Sequence, residues 1–362
     1  INLVQGANAL ALNLTNAGLL NVQAAGNISI NNTITTAGAV DIQSTGGSIS
    51  QNYMAPVNAG GTIKLKAANG LTVDGALNAG AGGNSITLAS TTGLFSSDFT
   101  SSVSMGSGGR WLIYLDDPAA SHNFGLTYGL VTALDFRQYG APYGTAPLGS
   151  GNGTLFAVAP VLSVYPSLSG SVTKSYDCTT SISMSGVTLA YGDLIGLLFG
   201  DAPVFPGGAS ITSPGTLASP NVGTGILVTV TNGTVTGIED TDTHSIAYGY
   251  RINASGNIGA VTPAVLSSTI SLSGTRPYDG TSVVQAGIFS MSGLIGSETL
   301  GLNGIGTLAD KNVGVNKPVG LGTLTLSDGS GLAANYTLAG GTHVATITPA
   351  PITGVTGMTA NN

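Results

Sequence analysis

Over the first hundred residues, apolar and polar positions alternate in short bursts, without the three-and-four spacing of an amphipathic helix. The bursts "GLLNVQA" at Gly18, "GAVDIQS" at Gly38, "GTIKLKA" at Gly61 and "NSITLAS" at Asn84 centre on Val22, Ile42, Leu65 and Leu88, separated by 20, 23 and 23 positions. A second set, "GNISI" at Gly26, "GSISQ" at Gly47 and "GLTVD" at Gly70, keeps the same step, as does a weaker third set carrying Ile34, Val57 and Leu77. Alternation sends every second side chain to one face, and a fixed period of this length marks a solenoid. The pattern predicts a right-handed parallel β-helix over residues 1–108, with three short strands per coil. Inward side chains would ladder at about 4.8 Å, and Gly and Asn would supply the positive φ of the corners. A β-sandwich with strands every eight to twelve residues or so is the alternative.

The character changes at Gly109, where "GGRWLIYLDDPAASHNFGLTYGL" brings Trp111, Tyr114, Phe124 and Tyr128. The open end of a solenoid exposes unpaired backbone, so residues 109–160 are expected to be an aromatic cap and connector. Beyond it, one pattern is written twice. "SLSG" stands at Ser167 and Ser271, Tyr176-Asp177-Cys178 matches Tyr278-Asp279-Gly280, and "NVG" recurs at Asn221 and Asn312. Tyr250 lies 13 residues before Pro263, and Tyr336 lies 13 before Pro349. "VAPVLS" around Pro160 precedes the first copy as "VTPAVLS" around Pro263 precedes the second. Residues 161–263 and 264–351 thus read as two tandem modules, with 352–362 a linker to a following segment. Runs such as "GILVTVTNGTVTGI" and "GTLTLSDGSG" predict antiparallel strands joined by Asn-Gly or Asp-Gly hairpin turns. The fold class expected is all-β: a right-handed parallel β-helix with a cap, then two β-sandwich or β-grasp-like repeat modules.

Composition narrows the chemistry. Only 7% of the 362 residues are Asp, Glu, Lys or Arg, so solvation falls to Asn, Ser, Thr and exposed backbone. A net charge of −7 and nine dispersed basic residues argue against nucleic acid, whose binding needs clustered cations. Mean hydropathy is +0.34, yet no window offers the roughly 18 uninterrupted apolar residues of a spanning helix, so membrane insertion is not expected. One cysteine, Cys178, excludes an internal disulfide framework. The 56 glycines follow no three-residue period, which excludes collagen. Ile1 opens inside a patterned segment, so the chain reads as a piece of a longer protein.

The string "YDGTS…GSETL…ADKNVGVNKPV…LAANYTLAGGTHVATITPAPIT" resembles the YDG repeat of bacterial surface proteins. "GRWLIYLDDP…NFGL" resembles the segment that follows the β-helix in filamentous-haemagglutinin-type exoproteins. The resemblance implies a large adhesin of a Gram-negative bacterium, exported by two-partner secretion through an outer-membrane β-barrel transporter. Such a protein stands on the cell surface or in a biofilm matrix, with carbohydrate, exopolysaccharide or a host surface as partner. Cys178 departs from the family's Gly after Tyr-Asp.

The candidate residues read mostly as structure. Tyr176, Asp177, Tyr278, Asp279 and Gly280 form turns, with Asp accepting nearby backbone N–H groups and Gly allowing positive φ. Asp310, Lys311 and Asn312 read as a turn with a local ion pair, and Gly314 closes the second "NVG" motif. Glu239, Asp240, Asp242 and His244 could offer Ca²⁺ oxygen ligands, with Asp240 and Asp242 the candidates; a solvated acidic turn is the plainer reading. Asp116 and Asp117 in the cap divide the same way. Cys178 and His244 share a sequence copy, but no third group orients them, and a lone small buried thiol is the simpler expectation. In residues 1–108 the carboxylates are Asp41, Asp74 and Asp98, which do not share one ladder, so a polysaccharide-processing β-helix enzyme lacks converging acids. The leading expectation is a non-enzymatic stalk or adhesive rod without cofactors. A self-associating matrix scaffold is the other alternative.

Overall fold

A computed structural model describes residues 2–6, 10–12, 15–97, 102–118, 134–165, 167–189, 191–203, 208–241, 244–265, 271–352 and 354. The chain is all-β, with parallel sheets prominent. Among the described residues no helix is long and apolar enough to cross a membrane. The chain divides into two compact units: residues 1–168, 184–214 and 230–255, and residues 169–183, 215–229 and 256–362.

The first unit is built on three stacks of parallel strands. In the first sheet Leu20–Ala24, Val40–Ser44, Ile63–Ala67 and Gly83–Ser90 succeed one another, so that Val22, Ile42, Leu65 and Leu88 lie in one rung. The second sheet aligns Ile28, Ile49, Leu71 and Phe95. The third aligns Ile34, Val57, Leu77 and Val103. These are the partners the repeat spacing predicts. In most of these strands buried residues alternate with less buried ones, as in Ile63–Ala67, where Ile63, Leu65 and Ala67 are all fully buried. Like-on-like stacking turns the inner faces into continuous apolar columns, and each fully buried Ile or Leu contributes roughly 1.5–3 kcal/mol. The hydroxyls that do point inward close the corners: Ser44 Oγ donates to Gly26 O at 2.6 Å, and Ser90 Oγ donates to Gly93 O at 2.8 Å.

The corners differ from expectation in one respect. No described residue before Gly83 has left-handed backbone. The glycines are needed there because successive coils touch: a Cβ on Gly60 would lie 2.2 Å from Ala37 O, and one on Gly93 only 0.9 Å from Asn69 O. Contact between stacked coils, rather than positive φ, selects glycine.

Past the coils, the first sheet continues. Gly109–Leu115 joins it beside Gly83–Ser90, followed by Gly153–Phe156, Phe136–Gln138 and Ile246–Tyr248, all parallel. Ile238–Asp240 and Asp201–Pro203 then add antiparallel strands. Trp111 and Tyr114 are buried in this extension, and Tyr114, Leu112, Phe136 and Leu155 share one apolar cluster. Phe124 and Tyr128, expected to cover the stack with them, lie outside the described residues.

In the second unit a six-stranded sheet runs Val283–Gln285, Ile305–Leu308, Gly314–Gly320, Thr342–Thr348, Ser271–Pro277 and Phe289–Met291. It is mixed rather than wholly antiparallel, because Ser271–Pro277 pairs in parallel with Thr342–Thr348 along its whole length. The expected hairpin turns are absent as well. Gly223–Thr236, whose residues from Val230 onward belong to the first unit, is one continuous strand through Asn232 and Gly233. Asn232 takes φ 50° there, and its N–H is capped by Asn253 Oδ1 at 2.7 Å, so the left-handed residue is absorbed as an irregularity within the strand. Thr325–Ser327 pairs with Gly301–Asn303, and Asp328 uses Oδ1 to accept the Ala333 N–H at 2.7 Å. Asp328 therefore caps a 3₁₀ turn instead of reversing a hairpin.

Candidate functional site

The two Tyr-Asp turns share one geometry. Asp279 Oδ1 accepts both the N–H and the hydroxyl of Thr281 at 2.9 Å, and it pairs with Arg276. Asp177 Oδ1 accepts the N–H and hydroxyl of Thr179 at 2.9 and 2.8 Å, with Lys174 Nζ at 2.6 Å. The bonds from Thr281, and then Arg276, hold the Asp279 carboxyl below the usual range. Burial opposes the same shift at Asp177, but Lys174 and Thr179 outweigh it. Gly280 has φ 80°, and Cys178 takes the same left-handed turn at φ 63°. The Cys178 side chain is exposed, not buried.

Each unit also holds a carboxylate gripped by two tyrosines. In the second unit Glu298 Oε1 accepts from the Tyr176 hydroxyl at 2.7 Å, and Oε2 accepts from Tyr336. The two rings meet edge to face with centroids 5.5 Å apart. No cation pairs with Glu298 among the described residues. The Tyr336 and Tyr176 bonds depress its pKa, while burial and the Glu298 bond push Tyr336 up to about 12. Cys178 Sγ leans on the same pair, 3.2 Å from the Tyr176 oxygen and 3.4 Å from Glu298 Oε1. Burial, with Glu298 alongside, raises the thiol pKa above its usual value, opposite to the shift that activates a nucleophile.

In the first unit Asp201, only 2% exposed, accepts from Tyr139 at 2.9 Å and from Tyr250 at 2.8 Å through Oδ2. Its Oδ1 pairs with Arg137 at 2.8 Å, and Arg137 reaches Asp240 Oδ2 at 2.9 Å. Burial pushes the Asp201 carboxyl up against the pull of Arg137, and it pushes both tyrosines up as well. Asp240 is therefore a buried ion-pair partner, not part of a solvated turn, and its oxygen is committed to a guanidinium. Asp242 lies outside the described residues. Glu239 pairs with His244 at 3.5 Å. Among the described residues no three His, Cys, Asp or Glu side chains gather as a metal would require.

The remaining sequence candidates separate. Asp310 pairs with Lys317, not with Lys311, and its Oδ1 also accepts the Asn312 N–H at 2.8 Å. Gly314 opens the strand paired with Thr342–Thr348. The first "NVG" is used differently: the amide of Asn335, 1% exposed, accepts the Val222 N–H at 2.9 Å and donates to Asn221 Oδ1 at 3.0 Å. Asp41 is tied to Lys64 at 2.9 Å on the first sheet, whereas Asp74 follows the second-sheet strand Leu71–Val73; Asp98 lies outside the described residues. On the third sheet Thr35, Asn58, Asn78 and Ser104 stand in one outward rung, with Asn78 Nδ2 donating to Asn58 Oδ1 at 2.8 Å.

The tyrosine–carboxylate clamps escaped sequence reading. One signal was available: Tyr250 and Tyr336 share their 13-residue distance to a proline, which marked them as equivalent without naming the acid. A profile of the YDG domain matches residues 262–346. No curated protein and no solved structure matches the chain.

Proposed function

We propose that the chain is a stalk segment of a large secreted bacterial surface adhesin, acting in attachment, aggregation and biofilm formation. In this reading the three-sheet stack is a right-handed parallel β-helix, residues 109–160 close it, and sandwich- or β-grasp-like YDG modules continue it. The full-length protein would leave a Gram-negative cell through an outer-membrane β-barrel transporter. The observation that carries the proposal is the in-register stack, whose outward rungs present half-buried hydroxyl and amide groups instead of converging acids. Such rungs suit weak, repeated contact with carbohydrate, where avidity comes from number rather than from one deep pocket. The YDG domain is consistent with a repeat protein of this kind.

Small-angle scattering of the 362-residue chain tests the stalk. A compact globule of this length has a radius of gyration of about 21 Å. The stalk requires a clearly larger value and an asymmetric distance distribution, and a result near the globular value refutes it. Turnover of a polysaccharide that is abolished by Asp41→Asn or Asp74→Asn would replace the stalk with an enzyme.

A further inference from the structure

Three tyrosines in this chain leave a strand in the same way. Tyr139 follows Phe136–Gln138, Tyr176 follows Val172–Ser175, and Tyr278 follows Ser271–Pro277. Each of these strands pairs in parallel with a later one. Each tyrosine then donates its N–H to the residue ending that pairing, Tyr248 O at 2.9 Å, Thr262 O at 2.9 Å and Thr348 O at 2.8 Å. Two of the three side chains go on into a clamp formed later in the chain, Tyr139 with Asp201 and Tyr250, Tyr176 with Glu298 and Tyr336. Both are under 5% exposed. Tyr278 is only half-buried, and among the described residues its hydroxyl bonds no group.

Two further elements show the same asymmetry. Asn221 and Val222 are held by the amide of Asn335, the residue before the clamp tyrosine Tyr336. Their sequence counterparts, Asn312 and Val313, are exposed, Val313 by 53%. The short strand after Pro160 pairs Val161 with Arg251, next to Tyr250, and the strand after Pro263 pairs Ala264 and Val265 with Tyr336 and Thr337. Residues 349–352, at the third of these proline junctions, are exposed, Ile352 by 87%.

We infer that Tyr278, Asn312, Val313 and residues 349–352 form a docking surface for a further copy of the YDG module, placed downstream in the same polypeptide. That copy would present a carboxylate and a tyrosine to the Tyr278 hydroxyl, an Asn amide to Asn312 and Val313, and a strand edge to residues 349–352. The complementarity is chemical as well as positional: a lone hydroxyl donor meets an acid that, at Glu298, has no cation and is satisfied by hydroxyls. The order is fixed because both filled clamps take their first tyrosine from earlier in the chain than their acid. This surface stands on the internal geometry, whatever the chain attaches to.

The test lengthens the full chain by a repeat of residues 267–362 joined after Ile352, which keeps residues 349–352 in place. Nitration of Tyr278 by tetranitromethane, located by peptide mass spectrometry, is compared in the 362-residue and lengthened chains. Seating Tyr278 in a clamp slows its modification by roughly tenfold or more. Changing the added copy's own counterpart of Glu298 to Gln restores the rate. Tyr278→Phe lowers the melting temperature of the lengthened chain more than that of the 362-residue chain. Equal nitration in both chains overturns the inference, as does an added copy that gains no protease resistance, because the surface is held to be sufficient to seat it. Protection of Tyr278 in the 362-residue chain that grows with concentration would assign the surface to a second molecule and overturn it equally.

Discussion

Replacing Tyr336 by Phe removes one oxygen from the second unit and leaves the ring, so it breaks the grip on Glu298 and releases the Ile295 N–H, which donates to the same oxygen at 3.3 Å. A hydrogen bond to a charged group contributes roughly 1.5–3 kcal/mol. Glu298 is half-buried and its field is partly screened, so the lower end applies, about 1.5 kcal/mol for each tyrosine hydroxyl. Tyr336→Phe is expected to cost about 1.5 kcal/mol, and Glu298→Gln about 2 kcal/mol, since the amide still accepts from one hydroxyl while its N–H₂ faces the other. The two changes remove the same bond, so the double variant falls short of the sum by about 1 kcal/mol. For a unit of this size that first loss lowers the melting temperature by roughly 6 °C. Urea unfolding of the four chains, followed by near-ultraviolet circular dichroism, measures the cycle. Acid supplies a second axis. Tyr336 first, and then Tyr176, depress the Glu298 pKa below its ordinary 4.5, so the stabilisation is complete above that pH and is lost as pH falls through the lower folded value. That part of the acid transition disappears in Glu298→Gln. Strictly additive losses, or identical acid dependence with and without Glu298, would refute the clamp as an energetic unit.

Three further outcomes follow from the same geometry. Cys178→Gly relieves a left-handed non-glycine residue at φ 63° and should raise the unfolding free energy of the second unit in urea, by about 0.5 kcal/mol once the added chain entropy is subtracted. Asp201→Asn strips a buried partner from Arg137 and two tyrosine hydroxyls, and should cost the first unit about 3 kcal/mol in chemical denaturation, softened only by Asp240. Because Tyr336 is raised from 10.0 to about 12, its contribution is intact below pH 10 and fades between those two values; an ultraviolet tyrosinate titration with a parallel stability curve should show that decline reduced in Tyr336→Phe.

Much of the fold was legible because it is local. Alternation over five residues and a step of 20 to 23 positions are properties of neighbouring residues, and once strands stack in parallel they dictate that Val22, Ile42, Leu65 and Leu88 share a rung. The Tyr-Asp turns were legible for the same reason, since Asp279 reaches no farther along the chain than Arg276 and Thr281. The hairpin at Asn232 was misread because an Asn-Gly pair permits a reversal without compelling one. A two-residue reversal there would use the Thr234 N–H, and Ser213, 21 residues away, accepts it through Oγ at 3.2 Å.

What tertiary structure alone decided is which distant groups meet. Asp201 finds Tyr139 from 62 residues away and Tyr250 from 49, while Glu298 finds Tyr176 across 122. It also moved Asp240 from a solvent-facing turn into a buried ion pair, and gave glycines such as Gly93 their role through contact between coils. The physical reason is that side-chain period records only which face a residue occupies. The partner on that face depends on strand pairings closed over long loops, and those pairings are chosen by the whole fold at once.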